Sequence, residues 1–174
     1  FDAWNVAFLL PNLLRRLLAE GALSVSMVPV FGQVKKRQGD DAAKALFRAT
    51  LGLYLWLLVA TLGVFVAVAP WLVALFASGF DADKQALTTE LTRLNTPFLF
   101  FIGLSTVAVA ALNTFQKFNA AAAQPIIFNF GIIFGATVLS LYVEPSIKGV
   151  ALGAGVGGAA AFVMLLVALR RAGF

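Results

Sequence analysis

The stretch LGLYLWLLVATLGVFVAVAPWLVAL, from Leu51 to Leu75, contains no charged residue. A bilayer core about 30 Å thick is crossed by about 20 mostly apolar residues in an α-helix. The stretch is too long for a β-strand and shows no alternation of apolar and polar residues. It therefore predicts a transmembrane helix.

The composition of the whole chain indicates the same environment. Of its 174 residues, 61% are hydrophobic and only 12% are charged, and the mean hydropathy is +0.93. Soluble domains are about 45–50% apolar and about 25% charged. Because a chain this short leaves much of its surface exposed, that surface is better solvated by lipid than by water.

Four further segments are long and apolar enough to cross a bilayer, and turn or charge signals separate them. The five predicted spans cover about residues 2–34, 46–76, 87–115, 125–143 and 150–169. We therefore predict an all-α, polytopic transmembrane helix bundle. Small residues at four-residue spacing predict that the last two spans pack closely; they are Gly131 and Gly135, then Gly149, Gly153 and Gly157.

The Lys and Arg residues between the spans predict the orientation of the bundle, because such residues favour the cytoplasmic side. With the segment after the first span in the cytoplasm, eight fall inside and three outside. The N-terminus of the chain is then outside and its C-terminus inside. If the intact protein begins in the cytoplasm, five spans that start outside imply a preceding helix in a longer protein.

The residue types exclude several functions. The chain has no Cys and no His, so disulfides, Cys–His nucleophiles and zinc sites built on those ligands are absent. We expect no metal and no cofactor. The net charge of +5 comes mostly from residues at the ends of apolar runs, which indicates membrane topology rather than nucleic-acid binding.

The first span carries an unusual set of polar residues. At about 100° per residue, five of them fall within an arc of about 80°, and we call this set the polar stripe: Asp2, Asn5, Asn12, Arg16 and Glu20. Arg15 lies about 60° beyond one edge. A charge at mid-membrane costs at least about 2.5–3.5 kcal/mol, and such residues normally face a bundle interior or a watery cavity.

Two interpretations of the arginines follow. Both side chains reach the outer interface by snorkelling, or they line a cavity, where Arg16 pairs with Glu20 at i, i+4 and Arg15 meets another anion. The planar guanidinium matches phosphate geometry well. The second interpretation therefore predicts an anionic, phosphate-bearing substrate.

Several motifs resemble the MurJ (MviN) family of lipid II flippases, within the multidrug/oligosaccharidyl-lipid/polysaccharide transporter superfamily. The most specific is Leu10-Pro11-Asn12-Leu13-Leu14-Arg15-Arg16, continued by Ala19-Glu20-Gly21-Ala22 and Val28-Pro29. Weaker matches are Ala69-Pro70-Trp71, Leu112-Asn113-Thr114-Phe115, and Pro125 with Asn129. The resemblance extends over essentially the whole chain.

This resemblance implies helices two to six of the N-terminal lobe in a two-lobe transporter of the bacterial inner membrane. The implied substrate is an undecaprenyl-pyrophosphate-linked sugar-peptide, and the implied partners are the bilayer and the rest of the polypeptide, namely a first helix and a C-terminal lobe. Arg15 matches a basic cavity position of the family, Glu20 and Asp2 match acidic ones, and Arg16 and Asn12 belong to the same motif.

Three alternatives stay open. A related superfamily transporter, either a polysaccharide-lipid flippase or a drug/cation antiporter, has the same architecture, although a cationic drug favours an excess of acids. A membrane enzyme acting on prenyl phosphates needs clustered carboxylates for magnesium. The close acidic pairs Asp40-Asp41 and Asp81/Asp83 lie on opposite sides of the predicted bundle. A structural subunit is the third alternative.

Overall fold

The computed structural model describes residues 2–16 and 22–174, without the side chains of residues 2 and 22–25. Within these ranges the chain is helical and contains no strand, which confirms the all-α prediction. The helices are α1 (Asp2–Arg15), α2 (Ala22–Gln38), α3 (Asp40–Phe76), α4 (Ala82–Leu94), α5 (Thr96–Thr114), α6 (Phe118–Thr137) and α7 (Ile147–Arg171), with a 3-10 turn at Leu139–Leu141.

Four helical segments in the described ranges are long and apolar enough to cross a membrane. They occupy the places of the second to fifth predicted spans: Asp40–Phe76, Ala82–Thr114, Phe118–Leu141 and Ile147–Arg171. The second of them combines α4 and α5. The first predicted span corresponds to α1 and α2, and its middle, residues 17–21, lies outside the described residues.

The start of α6 differs most from the sequence-based boundary. The helix begins at Phe118 and carries Pro125 in its interior, whereas the prediction placed Pro125 at the start. Four alanines, residues 120–123, are strong helix formers and extend the helix backward. An interior proline is tolerated in a membrane helix where neighbouring groups satisfy the freed carbonyl.

The packing of α5 organises the bundle. This helix contacts α1, α2, α3, α6 and α7, and it is more buried than the other candidate spans. Tyr54 and Leu58 of α3, Leu104 and Val107 of α5, and Leu165 of α7 belong to one buried cluster. The central position of α5 holds the surrounding helices around one core.

Glycines form the contact between α6 and α7, as their spacing predicted. A Cβ added at Gly153 would lie 2.5 Å from the Cα of Gly135. Similar overlaps occur at Gly131 with Gly157 and at Gly149 with the backbone of Ser140. The two backbones are therefore in direct contact, and the close-packing prediction is confirmed.

A side chain from α4 compensates for the proline inside α3. Pro70 has no backbone N–H, so the carbonyl of Val66 lacks its usual donor four residues later. The Nε of Arg93 donates a hydrogen bond to that carbonyl at 3.3 Å. Arg93 thus links α4 to the interrupted turn of α3.

Candidate functional site

A cavity of about 720 Å³ lies between α1, α5 and α6. Its volume falls in the range of about 300–1,000 Å³ that is typical of small-molecule sites. The lining residues are Asn5, Phe8, Leu9, Asn12, Leu13, Arg15 and Arg16 at α1, Phe98, Ile102 and Thr106 on α5, and Gln124, Pro125 and Phe128 on α6. We call it the central cavity.

Both arginines of the motif line the central cavity. The Nε of Arg15 donates a hydrogen bond to Oδ1 of Asn12 at 3.1 Å. Although the helical wheel places Arg15 beside the polar stripe, this bond holds its side chain towards Asn12, which belongs to the stripe. Arg15 and Asn12 are half-buried, while Arg16 is exposed.

The side chains of the two acidic candidates lie outside the described part of the structure. Glu20 lies outside the described residues, and so does its predicted pairing with Arg16. Asp2 is the first residue of α1, and its side chain is not described. At 1.5 Å per residue its backbone is about 21 Å along the helix axis from Arg16, so Asp2 lies at the start of α1 and Arg16 just after its end.

Two polar residues on the facing wall were missed by sequence reasoning. Gln124 of α6 and Thr106 of α5 line the central cavity together with the arginines. The Thr106 hydroxyl donates to the carbonyl of Ile102 at 3.2 Å, which leaves its oxygen lone pairs as acceptors. Gln124 is the one polar residue in the run from Ala120 to Phe128. A single polar side chain in an apolar run could have indicated a cavity-lining position.

Stacked aromatic rings hold this site together. The ring of Phe98 on α5 is stacked against Phe128 of α6 at 4.8 Å between centroids and against Phe8 of α1 at 6.5 Å. Trp4 stacks on Phe8 at 5.4 Å. Such pairs contribute about 0.5–1.5 kcal/mol each beyond area burial, so they fix the three cavity helices relative to one another.

The charges of the central cavity suit an anion. Two guanidinium groups line it, and none of its described lining residues is acidic. No group of three or more His, Cys, Asp or Glu residues within the described ranges is placed to hold a metal ion. Arginine forks bind phosphate and carboxylate through paired hydrogen bonds. The geometry therefore supports binding of an oxyanion.

Comparison with known proteins identifies the family. The family model described as "Lipid II flippase MurJ" matches residues 1–174. The chain belongs to the MurJ family. The Lipid II flippase MurJ of Burkholderia cenocepacia is 38% identical over 98% of this chain and 33% of its own length. The Probable lipid II flippase MurJ of Treponema pallidum is 32% identical over 99% of this chain and 33% of its own length.

A solved structure has the same fold. It is described as lipid II flippase MurJ in an inward closed conformation, and it matches with a TM-score of 0.76 and 24% identity. The match covers 98% of this chain and 35% of the other. The chain therefore spans about a third of the length of the MurJ proteins that it matches.

Proposed function

We propose that this chain forms part of the N-terminal lobe of a flippase that carries lipid II from the cytoplasmic to the outer leaflet. Membership of the MurJ family supports the activity, and the shared fold supports the architecture. The lobe would work by alternating access, in which two lobes rock about a site near the membrane midplane.

The arginine-lined central cavity is the observation that carries this proposal. Lipid II is linked through a pyrophosphate, and two guanidinium groups at one cavity wall suit that group. We propose Arg15 as the main phosphate-binding residue, assisted by Arg16 and Asn12. Glu20 and Asp2 would be the acidic members of the site. A cationic drug is disfavoured, because the described lining residues carry positive charge alone.

The proposal places the protein in the bacterial inner membrane, with the N-terminus of this chain outside and its C-terminus in the cytoplasm. The rest of the cavity wall would come from a preceding helix and a C-terminal lobe of the same polypeptide. The sugar-peptide headgroup and pyrophosphate would pass through the cavity, while the undecaprenyl tail stays in the bilayer. The mechanism moves the substrate without making or breaking a covalent bond.

Replacement of Arg15 tests the proposal in the full-length protein. Arg15→Ala is expected to abolish lipid II translocation in proteoliposomes, because the pyrophosphate loses its main partner. Membrane insertion and thermal unfolding should stay near wild type. Arg48→Ala is the matched control, since Arg48 is exposed on α3 and does not line the central cavity. Normal translocation by Arg15→Ala would refute the assignment.

A further inference from the structure

A second cavity, of about 540 Å³, opens between the start of α6 and the end of α7. We call it the inner-end cavity, because the predicted orientation places it at the cytoplasmic side. Its walls are the turn between α5 and α6, the first turn of α6 and the last two turns of α7. The lining residues are Gln116, Lys117, Phe118, Asn119, Ala120, Met164, Val167, Ala168, Arg171 and Ala172.

The cavity arises from the way α6 and α7 pack. Their glycine contacts run from Gly131 and Gly157 to Ser140 and Gly149, which is the half of the pair away from this cavity. In the other half, larger side chains take the place of the glycines, and the cavity lies there. Phe118 is 57% exposed and Val167 is 42% exposed. The inner-end cavity therefore offers apolar walls that suit a hydrocarbon chain.

Two basic side chains lie beside these apolar walls. Lys117 and Arg171 line the cavity and are both exposed. Among the described residues, neither side chain forms a hydrogen bond or an ion pair. Lys117 also precedes the first turn of α6, whose backbone N–H groups receive no side-chain cap from it. Uncapped N–H groups and the helix dipole add to the attraction for an anion.

The C-terminal end of α7 also borders the cavity, but the partial negative charge of its carbonyl groups opposes the attraction for an anion only weakly. Three carbonyls of its last turn accept backbone hydrogen bonds: that of Ala168 from the N–H of Ala172, that of Leu169 from Phe174, and that of Arg170 from Gly173. These carbonyl oxygens therefore point to backbone N–H groups at the end of the same helix. The charged side chains among the residues that line the inner-end cavity are two basic ones, Lys117 and Arg171.

We propose that the inner-end cavity binds an anionic phospholipid of the cytoplasmic leaflet. The lipid phosphate would lie between Lys117 and Arg171, and one acyl chain would run along Phe118, Met164 and Val167. Basic side chains near the cytoplasmic surface attract anionic lipids, and here they adjoin a gap of suitable polarity. The proposal rests on the membrane orientation given above and does not depend on transport. A bound lipid would fill the gap between α6 and α7.

Photocrosslinking of the full-length protein tests this site. The protein is reconstituted in phosphatidylcholine nanodiscs that contain a trace of phosphatidylglycerol with a photoreactive acyl chain, and the labelled peptides are mapped by mass spectrometry. We expect labelling at residues 116–120 and 164–172. Each basic residue near the surface contributes roughly fivefold to anionic-lipid affinity, so K117Q/R171Q should weaken binding about 25-fold.

The double variant K36Q/R37Q is the matched control. It removes the same charge from the same predicted side, but these residues lie at the end of α2 and do not line the inner-end cavity. It should retain the labelling. Equal loss in both variants would show a general surface attraction and overturn the proposal. Displacement of the lipid by glycerol phosphate alone would also overturn it, because the apolar walls would then contribute nothing.

Discussion

At the scale of single residues, the side chain of Asn12 orients the main proposed phosphate ligand. Its Oδ1 accepts from the Nε of Arg15 at 3.1 Å, and both residues line the central cavity. A guanidinium held at Nε keeps its terminal nitrogens in a defined plane, which favours paired hydrogen bonds to an oxyanion. Asn12 therefore acts through Arg15 in the proposed site.

A double-mutant cycle separates orientation from direct contact with substrate. Asn12→Ala is expected to lower lipid II affinity about tenfold, since a hydrogen bond to a charged group contributes about 1.5 kcal/mol. Arg15→Lys keeps the charge but has no Nε. In the Arg15→Lys background, Asn12→Ala should therefore have little further effect on affinity. Equal losses in both backgrounds, measured by substrate titration of the full-length protein, would contradict the orienting role.

The sequence predicted one wall of the central cavity and not the other. The polar stripe of the first predicted span was visible because its residues recur at helical spacing, and a charged stripe cannot face lipid. Gln124 is an isolated polar residue, whereas Thr106 follows Ser105, and the two lie in separate apolar runs. Which runs pack opposite α1 is a tertiary property that spacing along one helix does not determine.

At the scale of the helices, the α6–α7 contact predicts a sharp difference between two glycines of α7. A methyl group at Gly153 would overlap the backbone of α6, with the Gly131 oxygen and the Gly135 Cα both 2.5 Å away. At Gly155 the nearest atom is the Pro97 Cβ at 3.7 Å, an ordinary contact. We expect Gly153→Ala to destabilise the protein by roughly 2–3 kcal/mol.

The matched substitution Gly155→Ala should be neutral or stabilising by up to about 1 kcal/mol, because alanine favours the helix over glycine. The measurement is the free energy of unfolding of the full-length protein in mixed micelles. If the two variants unfolded alike, the direct backbone contact between α6 and α7 would be wrong.

The proline inside α3 gives a second prediction at this scale. Arg93→Gln should cost about 1 kcal/mol, because the Val66 carbonyl loses the donor that replaces the missing N–H of Pro70. In a Pro70→Ala background the restored N–H at position 70 can satisfy this carbonyl. The cost of Arg93→Gln should then fall to a few tenths of a kcal/mol. Unfolding free energies of the four proteins give the coupling, and additive effects would exclude the compensation.

Helix positions were largely predictable because apolar runs of sufficient length leave few alternatives. Boundaries were less so. Pro125 resembles a first-turn proline, yet α6 continues back to Phe118, since four preceding alanines favour the helix. The link between Arg93 and Val66 joins residues 27 apart in sequence, and no local pattern indicates it.

At the scale of the whole molecule, the cavities and the charges give the bundle two different ends. The central cavity contains Arg15 and Arg16, near the end of α1. The inner-end cavity contains Lys117 and Arg171. The opposite end carries the Lys148–Glu90 ion pair at 2.6 Å, which joins α7 to α4. At one end an ion pair thus joins two helices, and at the other two basic side chains, Lys117 and Arg171, line a cavity.

The orientation of this asymmetry is the last prediction. Eight Lys and Arg residues against three favour the cytoplasm for the end with Lys36 and Arg170. The chain has no Cys, so single cysteines can be introduced here once any Cys elsewhere in the full-length protein has been replaced. An impermeant maleimide added to intact spheroplasts should label Asp83→Cys and Ser146→Cys, whereas Lys36→Cys and Arg170→Cys should react only after permeabilisation. All four positions are exposed, so each can react with the reagent from its own side.

The reverse labelling pattern would invert the bundle and place the inner-end cavity in the outer leaflet. Lipid II translocation, measured with the same cysteine variants, would then test the flippase proposal separately from the lipid site.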